Sequence, residues 1–406
     1  MKSQTKKICF KRVNFSESQI TQQRITLKHH PGHKLSSINL THTALHALMA
    51  RITIALPLYR DDSQSRMSIA SALAQNEKKC KVLIVDNNLN VDRWYIPLDH
   101  PGLKYIRNEA NIGGKNFAKC WELADTDYIH FLGDDDFMLP GYVDILDSAI
   151  TAHDGEFVAL ASLPCDRRSS NFKLYSSCLD NPPNASTALD RTKQVVDQVA
   201  YNFWWYSLID RRKVSYNQVF DKFFDSWPLS TVSSDWLFTY WLATQGKMLF
   251  SNQLGFIYNY QNWSGNWHQD QLVQFGDSDL KSSTSLDIAE IHQLYLCQQI
   301  LMIFTYYVHA WHVSSCINEL NPAELISIVT YLCFVKISRE IPMGLPTNSP
   351  VVHLANVLKS DGSGIDQLMK VSTQLLLEHT SKATELVRFI QELDRLDTQF
   401  KLASFI

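Results

Sequence analysis

Three consecutive carboxylates, Asp134, Asp135 and Asp136, follow the apolar run Tyr128-Ile-His-Phe-Leu132 and a single glycine, Gly133. Adjacent carboxylates repel one another unless a cation or well-placed donors share the site. A hard divalent ion held by one or two carboxylates plus phosphate oxygens is one resolution. The other is a helix start, in which Asp136 or a neighbour bonds free backbone amides ahead of Pro140. Taken alone, the triplet leaves both readings open.

The elements that must position these groups follow from hydrophobic periodicity. Between Arg51 and about Ile150 strands alternate with helices, which predicts a mostly parallel sheet covered on both faces, an α/β fold. Ile52 to Leu56, Lys81 to Val85, Leu103 to Ile106 and Tyr128 to Leu132 read as strands. Ser63 to Gln75 reads as a helix, and so does Asn111 to Ala124, where Phe117, Cys120, Trp121 and Ala124 share a face. After Pro140, Val143, Leu146 and Ile150 make another helical stripe. Ligands of such sheets bind beyond the carboxyl ends of the strands, where the acidic triplet lies.

Four segments together carry a family resemblance. Ile54-Ala-Leu-Pro57-Leu58-Tyr59, Leu83-Ile-Val-Asp86-Asn87, Arg107-Asn-Glu-Ala-Asn-Ile-Gly113-Gly114 and Tyr128-Ile-His-Phe-Leu-Gly-Asp134-Asp135-Asp136-Phe-Met-Leu-Pro140-Gly141 stand in this order. In order and spacing they resemble the nucleotide-sugar half of family 2 glycosyltransferases with the GT-A fold, nearest to the abequosyltransferase-like O-antigen branch. The likeness covers about residues 51 to 155 and favours metal over helix capping at the triplet. It implies a nucleotide diphosphate sugar donor, a UDP-sugar first, with Pro57, Tyr59, Asp86 and Asn87 at the nucleoside. A carboxylate accepts from a uracil N–H and an aromatic ring covers the base. Many relatives carry a second acid where Asn87 stands. Gly113 and Gly114 would let backbone approach the ligand, and Lys115 would reach the phosphates. The family's Asp-x-Asp pattern sets Gly133 where the first acid is expected. The resemblance therefore implies Mn2+ or Mg2+ on Asp135 and Asp136, with Asp134 facing the ribose or donor sugar.

Beyond residue 156 the motifs thin out. Phe157 to Leu160 and Gly246 to Phe250 read as strands. Ser233-Ser234-Asp235-Trp236 falls where the family places its general base, and Ser234 replaces the usual preceding acid. The resemblance thus makes Asp235 the catalytic base of an inverting transfer; capping the helix from Trp236 to Thr244 is the structural alternative. Seven of the ten tryptophans lie between Trp204 and Trp267. Indoles suit both sugar faces and protein cores, so the expected acceptor set is Trp204, Trp205, Trp236 and Trp263, with His268. Relatives often carry Tyr-Arg-x-His near Ile257 to Ser264, and this chain lacks its Arg and His.

Composition bounds the rest. The 406 residues are 45% hydrophobic and carry a net charge of −3, which gives no reason to expect nucleic acid. Residues 1 to 50 carry +7 and the remaining 356 sum to −10. Residues 1 to 48 are read as a basic, dispensable, disordered extension, or an arm touching anionic lipid. Eight scattered cysteines without a CxxC pair fit reduced thiols, hence a cytoplasmic protein without signal peptide, at most peripheral to the membrane. The expected division is a transferase domain over 49–285, with donor half 49–155 and acceptor half 156–285, then a helical region over 286–406. That region would pack on the transferase, close over a saccharide or lipid-linked acceptor, dimerise, or rest on the membrane. The apolar stretch from Ile291 to Asn318 reads as a buried helix rather than a membrane span. The functional expectation is a metal-dependent inverting glycosyltransferase; a sugar nucleotidyltransferase and a non-catalytic carbohydrate binder are the alternatives.

Overall fold

The computed structural model describes residues 50–406 apart from 154, 169–170, 199–200, 231–234, 260–266, 282–285, 315–319, 357, 359–362, 397–399, 401 and 406. The basic segment 1–48, Trp263 and Ser233-Ser234 therefore lie outside the described residues.

The chain runs β1 (Ile52–Leu58), α1 (Ser63–Leu73), β2 (Cys80–Asp86), β3 (Leu103–Arg107), α2 (Lys115–Leu123), β4 (Tyr128–Phe131), β5 (Phe137–Met138) and α3 (Tyr142–His153). It continues with β6 (Ala159–Ala161), β7 (Cys165–Arg168), β8 (Asn171–Leu174), α4 (Ala188–Asp197), β9 (Leu208–Asp210), α5 (Lys222–Ser226) and α6 (Asp235–Gln245). Next come β10 (Met248–Phe250), β11 (Phe256–Asn259), α7 (Trp267–Asp279), α8 (Ile288–Val313) and α9 (Pro322–Glu340). The chain closes with α10 (Pro350–Ala355), α11 (Ile365–His379) and α12 (Ala383–Leu396).

A seven-stranded sheet has the order β10-β6-β9-β4-β1-β2-β3. All its pairings are parallel except those of β9, which runs antiparallel to both β4 and β6. This is the mostly parallel, GT-A-like arrangement expected from the sequence. Side chains that alternate between two covered faces explain why β1 is buried throughout, Thr53 included. Ile52, Ile54, Leu56 and Leu58 pack with α1 and α3 on one face, while Ala55 packs with α2 on the other. A four-stranded sheet, β5-β11-β7-β8, sits at the exit of β4. It is anchored there by Met138 pairing with Phe256 and by Leu139 N–H donating to Gly255 O at 2.8 Å.

The second core continues from α2 into the helical C-terminal region without a break. Trp241 on α6 meets Tyr307 on α8 edge-on at 5.5 Å, and Phe223 on α5 meets Tyr306 at 5.2 Å. Helix α8 is buried around most of its circumference, Gln298, Gln299 and Thr305 included. No helix among the described residues is long and apolar enough to cross a membrane. Cys80, Cys120, Cys165, Cys297 and Cys333 are buried free thiols, and Cys178 is buried as well.

Candidate active site

The acidic triplet occupies the turn that leaves β4. Asp136 N–H bonds Gly133 O at 3.2 Å, and this tight turn folds the Asp136 side chain back against Gly133. Asp134 Oδ2 accepts from the backbone N–H groups of Tyr59 and Arg60 at 2.9 and 2.8 Å, which ties the end of β4 to the end of β1. Burial lifts the Asp134 carboxyl above its ordinary range, those two donors pull it down, and Asp135 pushes it up again. Asp136 is wholly buried. Its Oδ1 accepts from Asn259 N–H of β11 at 2.7 Å, and its Oδ2 has no hydrogen-bond partner among the described residues. Burial and the neighbouring Asp135 charge hold that carboxyl well above the usual range.

Asp135 is the outward member, with a side chain 21% exposed. Arg60, which the sequence reading passed over, lays its guanidinium beside the triplet, 3.6 Å from Asp134 Oδ1 and 3.5 Å from Asp135 Oδ2. The donor chemistry fits a hard divalent cation. All ligand atoms are oxygens, one buried Asp136 oxygen is left without a protein donor, and Asp135 stands in front of it. Asp135 and Asp136 are the residues that would hold Mg2+ or Mn2+.

The nucleoside candidates separate into outward and inward groups. Tyr59 is 53% exposed directly after β1, a placement that suits a ring covering a base. Pro57 is buried within β1 opposite Val85 of β2, so it supports the strand and offers no ligand surface. Asp86 is corrected too. Its carboxylate receives Arg93 Nε and Nη2, each at 3.0 Å, the Tyr105 hydroxyl at 2.8 Å and Asn88 N–H at 3.1 Å. It has no exposure with which to meet a base. Arg93 in turn donates to the carbonyls of Arg60 and Tyr59 at 2.6 and 3.2 Å. Asp86 therefore fixes the loop after β1 through Arg93.

Asn87 is likewise inward. Its Oδ1 accepts from Ile112 N–H and Asn108 Nδ2, and its Nδ2 donates to Asn111 Oδ1, so it shapes the loop ahead of α2. At the tip of that loop Gly113 has φ +56°, and a Cβ built on Gly113 or Gly114 would meet nothing within 4 Å. Backbone there is accessible to a ligand. Lys115 is exposed and pairs with Asp225 at 2.5 Å.

Asp235 is the first residue of α6. Burial raises its carboxyl above the ordinary range, while the backbone N–H groups of Trp236 and of Asp235 itself lower it. Tyr206 connects it to the triplet. Its phenol is held well above its usual range by burial and then by the negative charges of Asp136, Asp235 and Asp135, with Tyr258 also contributing. Its ring stacks on Phe256 at 5.4 Å. Tyr206 thus feels the charges of the acidic turn and of Asp235 together, a link that sequence spacing did not signal beyond the aromatic run containing Tyr206.

The tryptophans need correction. Trp204 has no exposure, donates its Nε1–H to Gln198 Oε1 at 2.8 Å and packs on Phe250 at 4.4 Å. Trp205 stacks on Phe131 at 6.1 Å inside the core. Both are structural and present no face to a saccharide. Trp236 is half-buried beside Tyr240. His268 packs against His292 at a ring distance of 5.0 Å, among the C-terminal helices.

Residues 53–212 match the sequence model of the family described as Glycosyl transferase family 2. That segment is similar to a family 2 glycosyltransferase domain. The matched segment contains the triplet, the β1 exit and Tyr206; Asp235 follows it in the chain. An uncharacterized protein, MT1568, of Mycobacterium tuberculosis (strain CDC 1551 / Oshkosh) is 30% identical over 98 residues, 23% of this chain. The match spans 31% of that relative's own length. Among solved structures, S. aureus TarS 1-349 is similar at TM-score 0.49 and 12% identity, over 86% of this chain and 91% of that one. Mannosyltransferase PcManGT from Pyrobaculum calidifontis, in complex with GDP-Man and Mn2+, is similar at TM-score 0.38 and 10% identity over 81% and 85% of the two chains.

Proposed function

We propose that the chain is a metal-dependent inverting glycosyltransferase of the abequosyltransferase-like O-antigen branch. It transfers a sugar from a nucleotide diphosphate sugar, a UDP-sugar first, to a saccharide or lipid-linked saccharide at the inner face of a membrane. The observation that carries this reading is the acidic turn at the exit of β4, tied through Asp134 to the Tyr59 and Arg60 N–H groups at the end of β1, with one buried Asp136 oxygen left without a donor among the described residues. Tyr59 and the backbone at Gly113 and Gly114 hold the nucleotide, with Lys115 and Arg60 as cations for its phosphates. A divalent ion bound at Asp135 and Asp136 supplies charge neutralisation to the departing diphosphate.

Asp235 takes the proton of the acceptor hydroxyl as that oxygen forms its bond to the sugar C1. The bond from C1 to the diphosphate oxygen breaks on the opposite face, and the electron pair leaves with the nucleotide. The raised Asp235 pKa improves the match between base and hydroxyl proton. Trp236, half-buried beside the base, remains an acceptor-contact candidate, as does Trp263, which lies outside the described residues.

Incubation with a panel of nucleotide sugars and saccharide acceptors, with and without Mn2+, tests the reading. Metal-dependent nucleotide release that increases with acceptor is expected. Silence across the panel would favour a carbohydrate binder, and consumption of a sugar phosphate with nucleoside triphosphate would identify a nucleotidyltransferase.

A further inference from the structure

We propose that His268, His292 and Glu340 form a second metal site, separate from the acidic triplet and selective for a borderline divalent ion of the zinc class. The three residues come from three helices: the start of α7, the second turn of α8 and the last residue of α9. His292 Nε2 lies 2.8 Å and His268 Nε2 3.5 Å from the same oxygen, Glu340 Oε2. One ligand atom from each residue falls within 4.8 Å of the others. Metal–ligand bonds of about 2.0–2.2 Å in tetrahedral geometry place ligand atoms roughly 3.4 Å apart, so a small opening of the His292–Glu340 contact admits the ion.

The surroundings are those of a built site. The His292 and Glu340 side chains are each 3% exposed, and that of His268 is 14% exposed. Lys336 Nζ holds the other carboxylate oxygen, Oε1, at 2.8 Å, which turns Oε2 toward the imidazoles. Such outer donors orient first ligands and tune their affinity. Two imidazoles and one carboxylate are softer than the all-oxygen triplet and leave a fourth position for water.

An ion here would clamp α7, α8 and α9 together. Helix α9 reaches the helix headed by Asp235 through Lys336, 5.8 Å from the Trp236 ring centre, and Arg339, which donates to the Tyr240 hydroxyl at 3.2 Å. The site would thus brace the base-bearing helix against the C-terminal region. A hydrogen-bonded His292–Glu340 pair with no metal is the competing account.

Titration of chelator-treated full-length protein with Co2+ alone, followed by absorption and equilibrium dialysis, decides between them. The expected result is about one equivalent bound with the visible bands of tetrahedral cobalt, displaced by Zn2+. The bands persist in Asp135→Asn, disappear in His268→Ala, and in Glu340→Gln the affinity falls more than about tenfold. Should His268→Ala fail to fold, Glu340→Gln alone decides. Absence of bands in the wild type, loss of bands in Asp135→Asn, or unchanged binding in the folded His268 or Glu340 variants would overturn the proposal.

Discussion

At the scale of single residues, the site depends on carboxylates that the fold keeps out of water. In the proposed reaction Asp235 would act as the base only when ionised, and its pKa is raised by burial, so turnover should rise with pH along a limb lying above the ordinary carboxylate value of about 4. Asp235→Asn should lower kcat by about 10²–10⁴-fold. Calorimetric binding of UDP with Mn2+ should stay unchanged in that variant, and substantial residual turnover would move the base elsewhere. Asp136 makes the opposite kind of prediction, about stability. Its folded pKa lies well above the unfolded one, so ionisation opposes folding. Without divalent ions, stability should be greatest below the ordinary carboxylate pKa and decline as pH rises from there toward the raised value. Asp136→Asn keeps an acceptor for Asn259 N–H and removes the buried charge, so at neutral pH it should stabilise the metal-free protein by about 1–3 kcal/mol. Thermal unfolding with and without Mn2+ measures this; the sign should reverse with the ion present.

At the scale of elements, strand ends are held by partners that are remote in sequence or lie in loops. The Asp86–Arg93 pair is buried on both sides and carries the loop after β1 through two carbonyls. Arg93→Ala leaves buried Asp86 with only Arg107, 3.8 Å away and partly exposed, as a cation and should cost about 3–5 kcal/mol, and it should weaken nucleotide binding at Tyr59 and Arg60. Urea unfolding with UDP titration on the folded fraction separates the two effects. The turn before β11 has no room for a side chain, since a Cβ on Gly255 would stand 2.0 Å from the Tyr142 ring. Gly255→Ala should therefore lower stability by about 1–3 kcal/mol. Because β11 donates to Asp136, the same variant should also weaken divalent-ion binding, measurable by Mn2+ titration.

At the scale of the whole molecule, the transferase sheet and the C-terminal helices share one hydrophobic core. Glu324 on α9 accepts from Ala188 and Leu189 N–H at the start of α4, and Arg339 donates to Val196 O at 2.7 Å. A chain ending at residue 285 would expose Trp241, Phe238 and their neighbours, which are otherwise fully buried. It should be insoluble or lack a cooperative thermal transition, while a chain starting at Met49 should unfold and turn over like the full chain. Near-UV circular dichroism of the two truncations checks both outcomes.

Much of the fold could be read locally because its signals are local. The alternation along Ile52–Leu58, the helical stripe of Cys120 and Trp121, and the acidic turn after Phe131 are properties of a few consecutive residues. Backbone geometry translates each directly into a buried strand, a covered helix face and a polar strand end. The sequence by itself therefore determined the α/β class, the order of strands and helices over residues 51–155 and the position of the triplet. The tertiary structure alone decided which polar groups reach solvent and which indoles do not. Asp86 turns inward because Arg93 meets it there, Trp204 fills the space beside Phe250, and Tyr206 collects charges from three carboxylates. His268, His292 and Glu340 converge only when three helices pack. Apart from Asp86 and Arg93, which are seven residues apart, these groupings join residues far apart in the chain, and their geometry is set by how whole elements exclude water from a common core, which no short window of sequence records.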